Sequence, residues 1–295
     1  MSTEELNDQA DFADDELIIR KKKQPEQKTG VTAAGVLKTA AEALEALRAK
    51  GPLVQCMTNA VAADSTARAL KALGAAYAMV EDMGEASQFT SVMDGLLVNV
   101  GTATKPQTDA MRAAVSHANM GGKPWVLDPV GVGALPLRTF TVKELMRRFP
   151  ALIRGNADEI NFLVHNTLPA RGTALTSDAV AQDAARLAGV THAAVLLTGA
   201  TDYVALEGAP LMARVAGLGC AQGAIGAAFL GALGGKARWE GALATALTVA
   251  LAGERAAEAA KGPGSFMPAF LDALDALTPD DVRKHGKVKI VPVEG

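Results

Sequence analysis

Cysteine is scarce in this sequence. The 295 residues hold two, Cys56 and Cys220, far apart and in no metal-binding spacing. A disulfide framework or a cysteine-based zinc site is therefore not what organises the chain, a bridge between the two thiols being the minor alternative. So few thiols fit a reducing compartment, and the cytoplasm is the expected location. An excess of positive charge is also missing: 29 Lys and Arg stand against 32 Asp and Glu, a net charge of -3 with a pI near 5.9. That argues against a nucleic-acid partner, whose phosphates are held mainly by Lys and Arg. The first sixteen residues are acidic and polar, the reverse of a secretory signal. The most apolar long stretch, residues 216–233, is too rich in Gly and Ala to read as a membrane span. There is no G-x-x-x-x-G-K-[ST], so a Walker-type phosphate loop is excluded. The four histidines, His117, His165, His192 and His285, have neither zinc spacing nor a nucleophile motif beside them and read as structural or surface residues.

What is present is a long, apolar chain, 49% hydrophobic, able to bury a core without staples. Residues 1–30 carry an acidic run followed by Arg20, Lys21, Lys22 and Lys23, with too little apolar surface to offset the entropy of ordering; a disordered tail is expected. From residue 31 to 295 no linker or repeat interrupts the pattern, which reads as a single domain. Leu37, Ala40, Ala41, Leu44 and Leu47 lie at helical spacing. Short apolar runs at 52–57, 77–81, 96–100, 125–128 and 193–198 read as buried strands, with helical segments near 60–73, 84–93, 105–120 and 156–165 between them. This alternation predicts an α/β fold in layers around a mostly parallel sheet. Residues 203–206 and 211–215 read as a hairpin. Residues 219–233, 239–261 and 266–277 read as three successive helices.

In such sheets, ligands bind outside the carboxyl ends of the strands. Four predicted ends carry polar or glycine-rich sequence: Cys56-Met57-Thr58-Asn59, Asn99-Val100-Gly101-Thr102, Asp128-Pro129-Val130-Gly131-Val132-Gly133 and Thr198-Gly199. Asp128 is placed either to hold Mg2+ or to cap a turn. Asn156 suits a helix N-cap with Glu159 three residues on, the alternative being that Glu159 orders a metal-bound water while Arg154 pairs with a nucleotide phosphate. Gly217, Leu218, Gly219 and Cys220 run directly into a helix, an arrangement that either offers backbone N–H groups and a positive dipole end to a phosphoryl group or simply lets helices pack closely. Cys220 there is a low-pKa thiol or a buried inert one. Met57, Met79 and Met83 line an apolar pocket or fill the core.

Pro52-Leu53-Val54, Thr58-Asn59, Ala72-Leu73-Gly74-Ala75, Asn99-Val100-Gly101-Thr102, Leu127-Asp128-Pro129-Val130-Gly131, Arg154-Gly155-Asn156, Thr198-Gly199 and Lys261-Gly262-Pro263-Gly264-Ser265-Phe266 occur in one order across residues 33–278. In these segments the chain resembles the hydroxyethylthiazole kinases of the ribokinase-like superfamily. The resemblance implies a three-layer ribokinase-like fold, ATP and Mg2+, and phosphorylation of the thiazole's primary alcohol in thiamine biosynthesis or salvage. By position it implies thiazole contact at Met79, Asn59 and Gly217, ATP contact at Arg154 and Thr198, and acids near metal and phosphates at Asp128 and Glu159. Gly217, Gly219 and Cys220 would form an anion hole, with Cys220 catalytic. A homotrimer with active sites between subunits is also implied. The family's usual Thr-Gly-x-Gly-Cys reads Ala216-Gly217-Leu218-Gly219-Cys220 here; one lost donor in such a hole costs ~3 kcal/mol. Gln55-Cys56 stands where a His and a small or aliphatic residue are usual, a change expected to reshape the thiazole pocket. The alternatives are a weakened thiazole- or nucleotide-binding protein and a ribokinase-like kinase of another alcohol.

Overall fold

The structure is a computed structural model that describes residues 12–13, 16–17, 31–206, 211–216 and 222–293. Of the expected tail it describes only the two-residue strands β1 (Phe12–Ala13) and β2 (Glu16–Leu17), paired antiparallel. The rest is built on one nine-stranded sheet.

Six strands run parallel: β4 (Ala76–Met79) at the edge, then β3 (Leu53–Met57), β5 (Gly95–Asn99), β6 (Trp125–Asp128), β7 (Leu152–Asn156) and β8 (Ala194–Thr198). The last three, β9 (Thr201–Ala205), β10 (Leu211–Ala216) and β11 (Val288–Pro292), add antiparallel. The expected hairpin is therefore present as β9 and β10.

The three layers follow from strand alternation. Successive side chains of a strand face opposite sides. Val54, Leu97, Val126 and Leu196 enter one core. Met57, Leu96, Val98, Trp125, Leu127, Val195 and Leu197 enter the other. The first core is closed by α1 (Ala33–Lys50), α2 (Ala63–Leu73), α8 (Gln222–Ala232), α9 (Arg238–Ala259) and α10 (Pro263–Ala276). The second is closed by α3 (Met83–Phe89), α4 (Lys105–Met120), α5 (Pro136–Met146), α6 (Ala157–His165) and α7 (Ala181–Thr191). A short α11 (Pro279–His285) follows α10. Burying both sheet faces accounts for the continuous apolar strands, whose burial is complete in β5, β6 and β8.

Helix α8 lies so close to the sheet that only glycine fits at the contact. A Cβ at Gly95 would overlap the Ala227 carbonyl, and one at Gly226 would come within 2.8 Å of Leu152 Cδ2. The small residues within α8 thus serve close packing of this helix on the sheet. Its consequence for the site is that the first turn of α8 sits beside the end of β6: a Cβ at Gly223 would stand 3.2 Å from Asp128 Oδ2.

Candidate active site

Asp128 closes β6, between the ends of β5 and β7. It is buried, and its carboxylate is held on both sides. Asn99 Nδ2 donates to Oδ2 at 2.7 Å, and Arg154 Nη1 approaches Oδ1 at 3.5 Å. The orientation of the Asn99 amide is set by its own chain, because Gly101 N–H donates to Asn99 Oδ1 at 2.9 Å. The same oxygen accepts from Asn59 Nδ2 at 3.1 Å. A continuous polar row therefore crosses four adjacent strand ends, from Asn59 after β3 through Asn99 and Asp128 to Arg154 on β7.

Glu159 reaches this row from α6. Its carboxylate accepts from Asn156 N–H at 2.9 Å, while Asn156 Oδ1 accepts from Glu159 N–H at 2.9 Å, a reciprocal cap at the start of the helix. Such a cap is worth about 1 kcal/mol. The second oxygen accepts from Gly131 N–H at 3.3 Å. Gly131 has φ +78°, a left-handed conformation that glycine adopts without strain, and this turns its N–H toward Glu159. Glu159 thus caps the helix and also anchors the turn that follows Asp128. Thr198 ends β8 and donates its hydroxyl to Gly155 O at 3.3 Å, beside Arg154.

The charges in this cluster are unequal. Burial pushes the Asp128 carboxyl up from its ordinary range, against the pull of Arg154 and Asn99. Burial, then the charge of Asp128, pushes Glu159 up as well. Asp202 on β9 is raised by burial. Burial alone would push the Arg154 guanidinium down, but Asp128, Glu159 and Asp202 together hold it above its ordinary value. Three buried acids share one guanidinium, which leaves room for further positive charge. Among the described residues no three His, Cys, Asp or Glu side chains form a metal cage. Asp128 and Glu159 would offer a divalent ion two carboxylates, the hard oxygen donors that Mg2+ accepts, and so fit such an ion as part of its shell.

At the other end of the row the surface opens. Met79 ends the edge strand β4, opposite Cys56 in register, and is 38% exposed; Tyr77 on the same strand is 40% exposed. Glu81, just beyond, accepts from Thr58 N–H at 3.1 Å and from Gln107 Nε2 at 2.8 Å, which ties the turn after β3 to α4.

The hydroxyethylthiazole kinase family pattern matches residues 44–280. The chain belongs to the hydroxyethylthiazole kinase family. Hydroxyethylthiazole kinases of Tolumonas auensis and Klebsiella pneumoniae strain 342 are 44% and 49% identical to it, over 80% and 77% of this chain and 93% and 91% of theirs. The structure of the hydroxyethylthiazole kinase protein from Pyrococcus horikoshii superposes with a TM-score of 0.77 at 30% identity, covering 86% of this chain and 99% of that one. A pyridoxal kinase from Staphylococcus aureus superposes at 0.56 and 15% identity and shares the fold. The expected ribokinase-like α/β architecture and the family are both as the motifs indicated.

Against this family background, Asp128, Arg154, Glu159 and Thr198 converge on one spot, Asn59 joins them through Asn99, and Met79 stands apart at the edge. Gly217, Gly219 and Cys220, the expected anion hole, lie outside the described residues. Gln55 is wholly buried. Its amide donates to Ala86 O at 3.0 Å and accepts from the Thr90 hydroxyl at 2.9 Å, so it braces α3 from within the core. Cys56 is buried in the opposite core, its thiol pushed up to about 12 by burial and by Glu81. Two polar residues of the site are given no role by the sequence: Asn99, although it opens a marked strand-end segment, and Asp202, which no motif includes. Asn99 is within reach of the strand-end rule, while Asp202, a lone acid inside a hairpin, gives no signal.

Proposed function

We propose that the chain transfers the γ-phosphoryl group of ATP to the primary alcohol of 4-methyl-5-(2-hydroxyethyl)thiazole, a step of thiamine biosynthesis or salvage. The carrying observation is the buried Asn99–Asp128–Arg154–Glu159 cluster at the strand ends of a chain that matches the family from 44 to 280. Positioning and charge stabilisation do most of the work in phosphoryl transfer. In this reading Arg154 and Thr198 face the nucleotide phosphates. Asp128 and Glu159 hold Mg2+, which when bound neutralises charge on the phosphates. Asn59 and Met79 receive the thiazole. Gly217 and Gly219 cradle the moving group, Gly217 also meeting the thiazole, and Cys220 orients the attacking hydroxyl or takes its proton. Replacing Cys220 with Ala tests that last role: a ~100-fold slower turnover supports a base, and near-normal turnover removes it.

A homotrimer with sites shared between subunits belongs to the same proposal. It is supported by the edge strand β4, which among the described residues has no strand on its outer side and whose Tyr77 and Met79 are exposed in a single chain. Sedimentation gives the mass that decides it. The cytoplasm remains the proposed location. Among the described residues no helix is long and apolar enough to cross a membrane.

The deciding assay is ADP release from Mg-ATP with and without the thiazole, together with the mass of the product. Thiazole-dependent ADP and a monophosphate establish the activity. Tight thiazole binding without turnover would make this a binding protein or a kinase of another alcohol.

A further inference from the structure

The hairpin that joins β8 to β9 is only two residues long, Gly199 and Ala200, and it begins directly after Thr198. Asp202, the second residue of β9, has no solvent exposure. Its two oxygens have separate partners. Oδ1 accepts from Gly199 N–H at 3.0 Å, folding the side chain back over the hairpin. Oδ2 accepts from Gln222 Nε2 at 2.6 Å. Gln222 is the first residue of α8, and the next residue, Gly223, lies against Asp128. The opening turn of α8 is thus held between two carboxylates, bonded to Asp202 on one side and packed on Asp128 on the other. A buried carboxylate is costly unless its lone pairs are occupied, and here both oxygens are.

We infer that Asp202 is a positioning residue for phosphoryl transfer, acting with Gln222 as a clamp that fixes the start of α8 against the nucleotide-facing end of β8. The inference rests on the kinase reading above and deepens it. The helix start supplies backbone N–H groups and a positive dipole end, whose value to a developing charge depends on where they are aimed. Thr198 and Gly199 sit on the other arm of the clamp. Asp202 itself touches neither reactant. Its effect passes through these two segments, and so falls on kcat and the ATP side more than on the thiazole contacts of Asn59 and Met79 at the far end of the row.

The test is steady-state kinetics of Asp202→Ala, Asp202→Asn and Gln222→Ala, with Leu247→Ala in the core of α9 as a control for lost stability. The Asn variant keeps an oxygen for Gly199 N–H, and Gln222 can turn its amide to meet the new donor, so the clamp is preserved without its charge. In Asp202→Ala and Gln222→Ala kcat should fall by about tenfold or more, with a thiazole KM within roughly twofold of wild type. Asp202→Asn should recover turnover to within about threefold. Leu247→Ala should lower Tm and leave turnover per folded molecule unchanged. The inference is overturned if the clamp variants turn over as wild type does, or if they lose activity only in proportion to folded protein as the control does. Should Asp202→Ala fail to fold, Gln222→Ala carries the same test alone. Amide exchange at Gly199 and in the first turn of α8, faster in both variants, reads the clamp without any acceptor. A wild type inactive on the thiazole would sink the substrate assignment and leave the exchange result to decide the clamp.

Discussion

The two ends of the strand-end row are built differently. At the centre of the sheet, Asp128, Arg154, Glu159 and Asp202 are buried or nearly so, and each acid has a named donor from backbone or side chain. At the edge, Met79 and Tyr77 are well exposed and, among the described residues, β4 has a neighbouring strand on one side only. The central acids are thus fixed by contacts within one chain and preorganised, as charge stabilisation requires. The edge is open, which suits a site that admits an apolar acceptor and is finished by another surface. By this division the two reactants should respond to different substitutions.

Arg154→Ala should produce the largest effect. It leaves Asp128, Glu159 and Asp202 buried without their shared cation, a change that costs about 3–5 kcal/mol of stability when a buried pair is broken. Catalytic efficiency toward ATP should fall ~1000-fold, as for loss of a principal charge-stabilising donor. Thiazole affinity, measured by calorimetry on the folded fraction, should change less than about threefold. An equal loss of thiazole affinity would mean that the row behaves as one unit, and the proposed division would fail.

Met79→Ala is the complementary experiment. Met79 is only partly covered, so truncation removes roughly 1 kcal/mol of apolar contact with a bound thiazole. The thiazole KM should rise about fivefold, with the ATP KM and kcat little changed. A wild-type thiazole KM would remove Met79 from the pocket and return it to the role of an edge residue.

The centre is also the part most legible in the sequence. Asp128 follows Trp125, Val126 and Leu127, an apolar run short enough to be a buried strand, and its place at the end of β6 follows from that pattern. Asn156 and Glu159 have the spacing of a reciprocal cap, which is local chemistry, and the cap is present. What escapes is non-local or blurred. Helix α5 buries Thr141, Val142, Leu145 and Met146, but exposed Leu137 and Phe140 on its other side erase the apolar stripe. Helix α7 is also absent from the sequence reading, although its buried Ala181, Ala184, Leu187, Ala188 and Thr191 keep helical spacing. Strand β11 pairs with β10 from far along the chain, and none of its residues is fully buried. Asp202 and Gln222 meet across 20 residues and two elements. Periodicity reports which face of an element is buried, and it carries no information about which polar residue on one element meets which on another.

The smallest effect tests the central acids against a peripheral one. Asp281 on α11 pairs with Arg255 at 2.6 Å and accepts from Thr278 N–H at 2.8 Å. The Arg255 hydrogen bond, above all, holds its carboxyl well below the ordinary range despite partial burial. Its contribution to stability is therefore fully present above the unfolded value near 3.9 and is lost as pH falls below it. Asp128, Glu159 and Asp202 are raised, so they work in the opposite sense: their ionisation costs stability as pH rises from the unfolded value through the raised one. Asp281→Asn should lower stability by about 1 kcal/mol at pH 7, a partly exposed pair and cap being worth no more. Thermal melts of variant and wild type should converge as pH falls from 4 toward 2, because the unfolded wild type then takes up a proton that the folded pair still resists. A gap that persists unchanged to pH 2 would show that Asp281 contributes through packing and neutral hydrogen bonds. The contrast between a periphery stabilised by charge and a centre strained by it would then lose its outer half.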